Sequence, residues 1–176
     1  CQQNPISSLD VTQNKKLKSL KCFDTDITVL DISQNAELNY LECFRAKLTN
    51  LDVSNNPLLI RLDCGANKLT SLDVSNNTML YHLQFGQNQI TSIDVSHITE
   101  LDGLYCGGNQ LTSIDVSQNA NLRDLEIGEN KLTELNNYYK NSKSKAKINI
   151  KEIEKQVNIT YNDKQKEAIK TALNNN

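Results

Sequence analysis

The feature that most constrains this chain is a repeat with a period of 21 residues. Residues 64–84, CGANKLTSLDVSNNTMLYHLQ, keep matching the chain when they are shifted by 21 positions in either direction. A chain built in this way is expected to stack similar short units, each of which contacts only its neighbours. One position of the repeat is cysteine in most copies and a larger apolar residue in two: Cys1, Cys22, Cys43, Cys64, Phe85, Cys106 and Ile127.

Within one repeat, the apolar residues predict a short strand followed by a second short segment. Leu62 and Cys64 alternate with Arg61 and Asp63, which is strand periodicity. Leu72 and Val74 alternate again on the other side of the coil, and too few residues remain for a helix. The period and this pattern predict a leucine-rich repeat solenoid, a right-handed horseshoe with a parallel β-sheet on its concave face. Short extended or 3₁₀ segments are expected on the convex face.

Polar residues also recur with this period. One asparagine column follows the strand and another follows the second segment, and both suit buried amides that bond turn backbone in their own and the next coil. Thr25 and Ala46 interrupt the first column and Ile98 interrupts the second, so we expect looser or altered turns there. The two columns are Asn67, Asn88, Asn109 and Asn130, and Asn14, Asn35, Asn56, Asn77 and Asn119.

The periodic cysteines and aspartates predict structural roles. Equivalent positions on adjacent parallel strands are about 4.8 Å apart, whereas bonded cysteines bring their Cβ atoms to about 3.8 Å. We therefore expect buried free thiols and no disulfides. The aspartates that follow the Leu72 position are expected to accept hydrogen bonds from nearby Ser, Thr or backbone groups, because the clustered ligands that calcium needs are missing. No metal and no cofactor is predicted.

Residues 1–135 resemble the bacterial leucine-rich repeats of the internalin class. The resemblance rests on the 21-residue repeat L-x-x-L-x-C-x-x-N-x-L-T-x-L-D-V-S-x-N-x-x, in which a cysteine replaces a strand leucine and forms a cysteine ladder. Phe85 and Ile127 depart from that ladder conservatively. The resemblance implies a secreted or surface-attached bacterial binding protein. Cys1 matches the ladder, although it also suits the lipid-bearing first residue of a mature lipoprotein.

The strand side chains that point away from the core form the predicted binding face. Structure requires little of them, and exposed aromatic and arginine residues are enriched at binding hot spots. We expect a protein or glycan ligand here; alternatively, Phe23 and Phe44 only shield the first coils. Glycines take the place of these two rings in later coils, and they either bare a strip of backbone or relieve crowding. The predicted ligand-binding residues are Phe23, Tyr40, Phe44, Arg61, Tyr81, His82 and Tyr105.

Other activities are disfavoured by the sequence. The net charge of −2 gives no basic footprint for nucleic acid, and no apolar run approaches the roughly 20 residues that span a bilayer. The chain contains none of the Cys-x-x-Cys, H-E-x-x-H or G-x-S-x-G motifs. His82 and His97 are expected on different faces. We therefore predict a non-enzymatic monomer that binds a ligand without inserting into a membrane.

Residues 136–176 leave the repeat and are predicted to be a linker and a C-terminal cap. NDKQ at 162–165 predicts a helix start, and residues 163–173 carry an apolar stripe. Residues 148–176 also resemble the segment just upstream of the ATP-binding loop of superfamily-one helicases, where the glutamine matching Gln165 contacts adenine. The resemblance implies an alternative function, a docking or regulatory fragment of a larger cytoplasmic ATPase truncated before its phosphate loop. A structural spacer is a third possibility.

Overall fold

The computed structural model describes residues 1–132, which form a solenoid of six short parallel strands. Each strand pairs with the next in chain order, and the pairing register is one 21-residue repeat, as between Leu41 and Leu62. The predicted leucine-rich repeat solenoid with a parallel sheet is confirmed. The strands are β1 (Ser19–Lys21), β2 (Tyr40–Glu42), β3 (Arg61–Asp63), β4 (His82–Gln84), β5 (Gly103–Tyr105) and β6 (Asp124–Glu126).

The core is a stack of apolar columns between the sheet and the opposite side of each coil. The central residue of a strand points inward, and the ladder residue that follows the strand is buried beside it, as Leu62 and Cys64 show. Phe85 occupies the ladder position and is completely buried, so this column accommodates an aromatic ring where the neighbouring coils have a thiol. Cys1 is the exception, and it is exposed.

The convex side of the coils consists of extended segments followed by consecutive hydrogen-bonded turns, and residues 1–132 contain no 3₁₀ segment. In one coil the amide of Asn77 donates to Val74 O at 2.8 Å and the amide of Leu80 donates to Asn77 O at 3.2 Å. The side-chain Nδ2 of Asn77 donates to Val53 O and Asn56 O, at 3.1 and 2.9 Å. The Asn77 side chain therefore donates to the preceding coil. The prediction that this amide bonds its own coil and the next one is wrong.

A second clamp follows each strand and is made by the other asparagine column. Asn67 Nδ2 donates to Cys64 O in its own coil and to Cys43 O in the preceding coil, at 3.0 and 2.9 Å. Its Oδ1 accepts the amide of Leu48 at 3.0 Å. The residue before this column position is left-handed whether or not an asparagine follows, with φ from 48° to 69° at Asp24, Arg45, Ala66, Gln87, Gly108 and Glu129.

The turns at Thr25, Ala46 and Ile98 are not altered, so that expectation is wrong; the alternative, looser turns, stays a prediction. The residues before Thr25 and Ala46 keep the left-handed φ of the other coils, at 52° and 48°. Thr25 Oγ1 donates to Cys22 O at 2.8 Å, which replaces one asparagine bond. The turn at Ile98 keeps its backbone bond to Val95 O at 3.0 Å. Backbone pairing holds the turn shape, so a single missing side chain does not change it.

The end of the predicted repeat and the predicted tail fall outside the described residues. These are positions 133–135, the linker and cap at 136–176, the helix at 163–173 and the helicase-like segment. They remain predictions. Within residues 1–132 the structure contains no helix that is long and apolar enough to cross a membrane.

Candidate functional site: the concave face

The concave face is made by the strand residues that flank the inward-pointing leucines. Tyr40 pairs in register with Arg61, and Arg61 pairs with His82. Adjacent strands lie about 4.8 Å apart, so these three side chains stand side by side along the solenoid axis. Tyr40 and Arg61 are exposed and His82 is half-buried. The fold thus brings three of the predicted ligand-binding residues into one row.

Tyr81 stands beside this row and is held in place by three coils. Its ring meets the His82 ring edge to face, with centroids 5.0 Å apart and an interplanar angle of 82°. Arg123 Nη2 donates to the Tyr81 hydroxyl at 2.7 Å, and Arg123 Nε donates to the buried Asp102 Oδ1. The hydrogen bond from Arg123 lowers the pKa of Asp102. These bonds fix Tyr81 while leaving 38% of it exposed.

Gly103 makes room for the His82 ring in the next strand. A Cβ atom built on Gly103 would lie 2.6 Å from His82 Nδ1 and 3.0 Å from Tyr105 Cε2. A side chain at this position would therefore have to displace one of two predicted ligand-binding residues.

Phe23 and Phe44 lie just after β1 and β2 and stack face to face, with ring centroids 4.4 Å apart and planes within 8°. The guanidinium of Arg45 lies 5.5 Å from the Phe44 ring centroid and forms an ion pair with Asp24 at 3.3 Å. Both rings are half-buried. This arrangement is compatible with binding and with shielding of the first coils, so the role of the rings stays a prediction.

A groove of about 910 Å³ runs along the solenoid over the glycine column that replaces these rings. A Cβ on Gly65, Gly86 or Gly107 would approach the glycine carbonyl of the next coil to 3.2, 3.0 or 3.1 Å. The glycines therefore relieve crowding between coils, and they also leave backbone as the groove floor. Phe44 and Tyr105 both line this groove.

Charges on the face are largely paired between coils. Glu42 bonds Lys21 at 3.2 Å on one side and lies 3.7 Å from Arg61 on the other. The Tyr105 hydroxyl donates to Asp124 Oδ2 at 3.4 Å. Asp63 is buried, which raises the pKa of its carboxyl, although its Oδ1 accepts the amide of Gly65 at 3.2 Å.

Four of the five thiols and one of the two histidines lie away from the concave face. Burial raises the pKa of the Cys22 thiol to about 11 and that of Cys106 to about 12, and it raises the pKa of Cys43 and Cys64 as well. His97 lies in a convex turn, away from the sheet that carries His82, and its Nε2 donates to a backbone carbonyl.

The aspartate column does what the sequence predicted. Asp52 Oδ1 accepts the amide of Ser54 at 2.9 Å, and the same bond recurs from coil to coil. Within residues 1–132 no group of three or more His, Cys, Asp or Glu side chains is placed to hold a metal ion.

Two exposed apolar residues beside the face were missed by the sequence analysis. Met79 is 50% exposed and Leu58 is 40% exposed, at equivalent positions of neighbouring coils. The signal was present in the repeat, because the equivalent residues of other coils are Lys16, Glu37, Glu100 and Asn121. Because this position is polar in the other coils, the core does not require an apolar side chain there.

Solved structures of bacterial repeat proteins are similar to this chain. The functional domain of InlJ from Listeria monocytogenes, which includes a cysteine ladder, is 39% identical over 76% of this chain and 34% of that one, with a TM-score of 0.62. A leucine-rich repeat protein of Leptospira interrogans is 30% identical over 73% of this chain and 39% of its own, with a TM-score of 0.64. InlF, an internalin of L. monocytogenes, is 22% identical over 73% of this chain and 47% of its own, with a TM-score of 0.56, and shows the fold alone.

The chain spans between a third and a half of the length of these three structures. No protein-family model and no curated protein matches it.

Proposed function

Since this chain is a bacterial internalin-like leucine-rich repeat protein with a cysteine ladder, we propose that it is a non-catalytic module that binds a protein ligand through its concave face. The proposed contact residues are those predicted from the sequence: Phe23, Tyr40, Phe44, Arg61, Tyr81, His82 and Tyr105.

The observation that carries the proposal is the row Tyr40, Arg61 and His82, with Tyr81 at its side. These side chains contribute little to the core, because the strand leucines between them already fill the space under the sheet. Aromatic residues held on a rigid sheet bind with a small entropic cost, since few rotamers are lost on contact.

The chemistry of the face supports binding rather than catalysis. A buried thiol with a raised pKa is a poor nucleophile at neutral pH. His82 has an aromatic edge and a glycine as its neighbours, and His97 is engaged on the convex side. No pair of nucleophile and base is formed by these groups.

The groove over the glycine column favours a glycan as a second candidate ligand. Its walls carry hydrogen-bonding side chains, Gln84, Gln87, Tyr105 and Glu126, and Phe44 closes one end. Such a lining suits a chain of hydroxyl groups, and the bare glycine floor allows close approach to backbone.

We place the protein at the bacterial surface or in the secreted fraction, as a monomer. The cytoplasmic alternative, a docking fragment of a larger ATPase, rests on the segment from 148 to 176, which is outside the described residues. Intact-mass measurement of the natural product in separated cell fractions distinguishes them. A surface product supports the binding module, whereas a much heavier cytoplasmic product supports the alternative.

The experiment that tests binding uses protein and glycan arrays probed with the full chain. Ligands that bind are measured again with a variant that combines Tyr40→Ser, Phe44→Ser, Tyr81→Ser and Tyr105→Ser. We expect binding to be lost while the unfolding midpoint changes little. Loss of stability together with binding would support shielding instead, and unchanged binding would support a spacer. Val29→Ser is the matched control, because Val29 is 74% exposed outside the sheet and serine occupies its position in later coils.

A further inference from the structure

Four apolar side chains lie in two adjacent coils at the edge of the concave face, where the chain enters β3 and β4; three are exposed and Ile60 is half-buried. Leu58 and Ile60 flank the buried Leu59, and Met79 and Tyr81 flank the buried Leu80, so the outer four point away from the core. The two coils are adjacent, since the amide of Tyr81 donates to Ile60 O at 2.8 Å. We call Leu58, Ile60, Met79 and Tyr81 the edge patch.

The other coils of the same chain show that folding does not require this patch. The positions equivalent to Leu58 and Met79 are occupied by Lys16, Glu37, Glu100 and Asn121, and those equivalent to Ile60 and Tyr81 by Lys18, Asn39, Asp102 and Arg123. All these coils have the same turns and strand register. An exposed apolar cluster that the fold does not need marks a contact surface.

The patch has the composition of an interface core with a polar rim. Tyrosine and methionine are enriched where partners bury surface, and charged residues are depleted there. Tyr81 is also fixed before any contact, because its hydroxyl accepts a bond from Arg123 at 2.7 Å. A fixed aromatic anchor loses little conformational freedom on binding.

The rim on the side of the first coil is positively charged and unpaired. Lys15, Lys16 and Lys18 are exposed and form no ion pair within residues 1–132. In the row of equivalent positions, Glu37 lies between Lys16 and Leu58. On the opposite side, Asp102 and Arg123 form an ion pair, and Glu100, one repeat after Met79, leaves a net negative charge. A partner seated on the patch therefore meets excess positive charge at one end.

We propose that the edge patch binds a protein segment that presents large apolar side chains next to a group of carboxylates. The apolar side chains cover Leu58 and Met79, and the carboxylates face the lysines of the first coil. This inference rests on the proposed function of the concave face and specifies its ligand as an acidic, amphipathic protein segment.

The test selects peptides from a phage-displayed library of random 12-residue sequences on the immobilised full chain. Enriched sequences are expected to combine apolar residues with Asp or Glu, and synthetic copies are then measured by fluorescence anisotropy. Leu58→Glu and Met79→Glu should each weaken binding about tenfold or more, as for residues at an interface centre. Lys16→Gln with Lys18→Gln should weaken it less, and added salt should remove that difference by screening.

These variants are expected to fold, because glutamate already occupies the same position in two other coils. Val29→Glu is the control for adding a carboxylate at an exposed apolar site elsewhere, and it should leave affinity unchanged. The unfolding midpoint of every variant is measured in parallel.

Three outcomes would overturn the proposal. The first is peptide binding that is insensitive to Leu58→Glu and Met79→Glu. If Phe44→Ser and Tyr105→Ser abolish that peptide binding, the proposed function of the concave face stands without the edge patch. The second is the absence of any selected peptide that depends on the patch. The third is a dimer of the chain that Leu58→Glu dissociates, which would make the patch a self-interface.

Discussion

His97 supplies the hydrogen bond that an asparagine supplies in neighbouring coils: its Nε2 lies 3.0 Å from Val74 O. In the next coil Asn119 Nδ2 donates to Val95 O at 2.8 Å, from the position that Ile98 occupies here. The imidazole ring therefore compensates from one residue earlier for the amide that Ile98 lacks.

Replacing His97 with alanine should lower the free energy of unfolding by about 1 kcal/mol, the typical net contribution of one hydrogen bond. Val74 O would keep its bond from the amide of Asn77, which limits the loss. Urea denaturation measures the change. His82→Ala is the control, since His82 lies on the exposed face; an equal loss in both variants would contradict the role of His97.

The cysteine thiols should divide into one reactive and four protected groups. Cys1 is exposed, whereas Cys22, Cys43, Cys64 and Cys106 are buried. Thiolate is the reacting form, and burial raises the pKa of Cys22 to about 11. At pH 8, a coloured disulfide reagent should titrate one thiol rapidly in the native protein and five after denaturation. Rapid titration of several native thiols would contradict the buried ladder.

The left-handed turn position should lose stability when glycine is replaced by alanine but not when alanine is replaced by glycine. Gly108 has φ of 69°, and Ala66 holds the equivalent position at 50°. Residues other than glycine are strained in this left-handed conformation by about 1–2 kcal/mol. Gly108→Ala should therefore lower the free energy of unfolding by about 1 kcal/mol, while Ala66→Gly should not lower it. Thermal unfolding of the two variants checks the sign, and equal losses would show that the φ values do not govern stability here.

The aspartate column should make the protein less stable in acid. Hydrogen bonds from the Ser54 hydroxyl and amide lower the pKa of Asp52, and those from Ser75 lower the pKa of Asp73. A carboxyl with a lowered folded pKa stabilises the fold above its unfolded pKa of about 3.9. That contribution is lost as the pH falls through the folded pKa.

We therefore expect the free energy of unfolding to fall below about pH 4. Asp52→Asn with Asp73→Asn should flatten this dependence, because asparagine still accepts the serine amide and does not titrate. Denaturant titrations between pH 2 and about 7 measure the effect. An unchanged slope in the double variant would place the acid sensitivity elsewhere.

The sequence predicted most of the architecture because stacking obeys a nearest-neighbour rule. The strand leucines, the ladder position and the asparagine columns recur every 21 residues, so each residue has the same environment as its copy in the next coil. The predicted concave residues accordingly lie in the strands or directly before or after them. The same periodic argument failed for Thr25, Ala46 and Ile98, since it treated a missing side chain as a change of turn.

The sequence by itself determined the coil, its period and which side chains enter the core, because those choices repeat and burial selects them in every copy. Only the tertiary structure decided which irregular residues become neighbours. It brought the His97 ring to the Val74 carbonyl and the Arg123 guanidinium to the Tyr81 hydroxyl two coils away. Such contacts depend on rotamers and on which irregular residues meet, whereas the repeat specifies only which positions are adjacent.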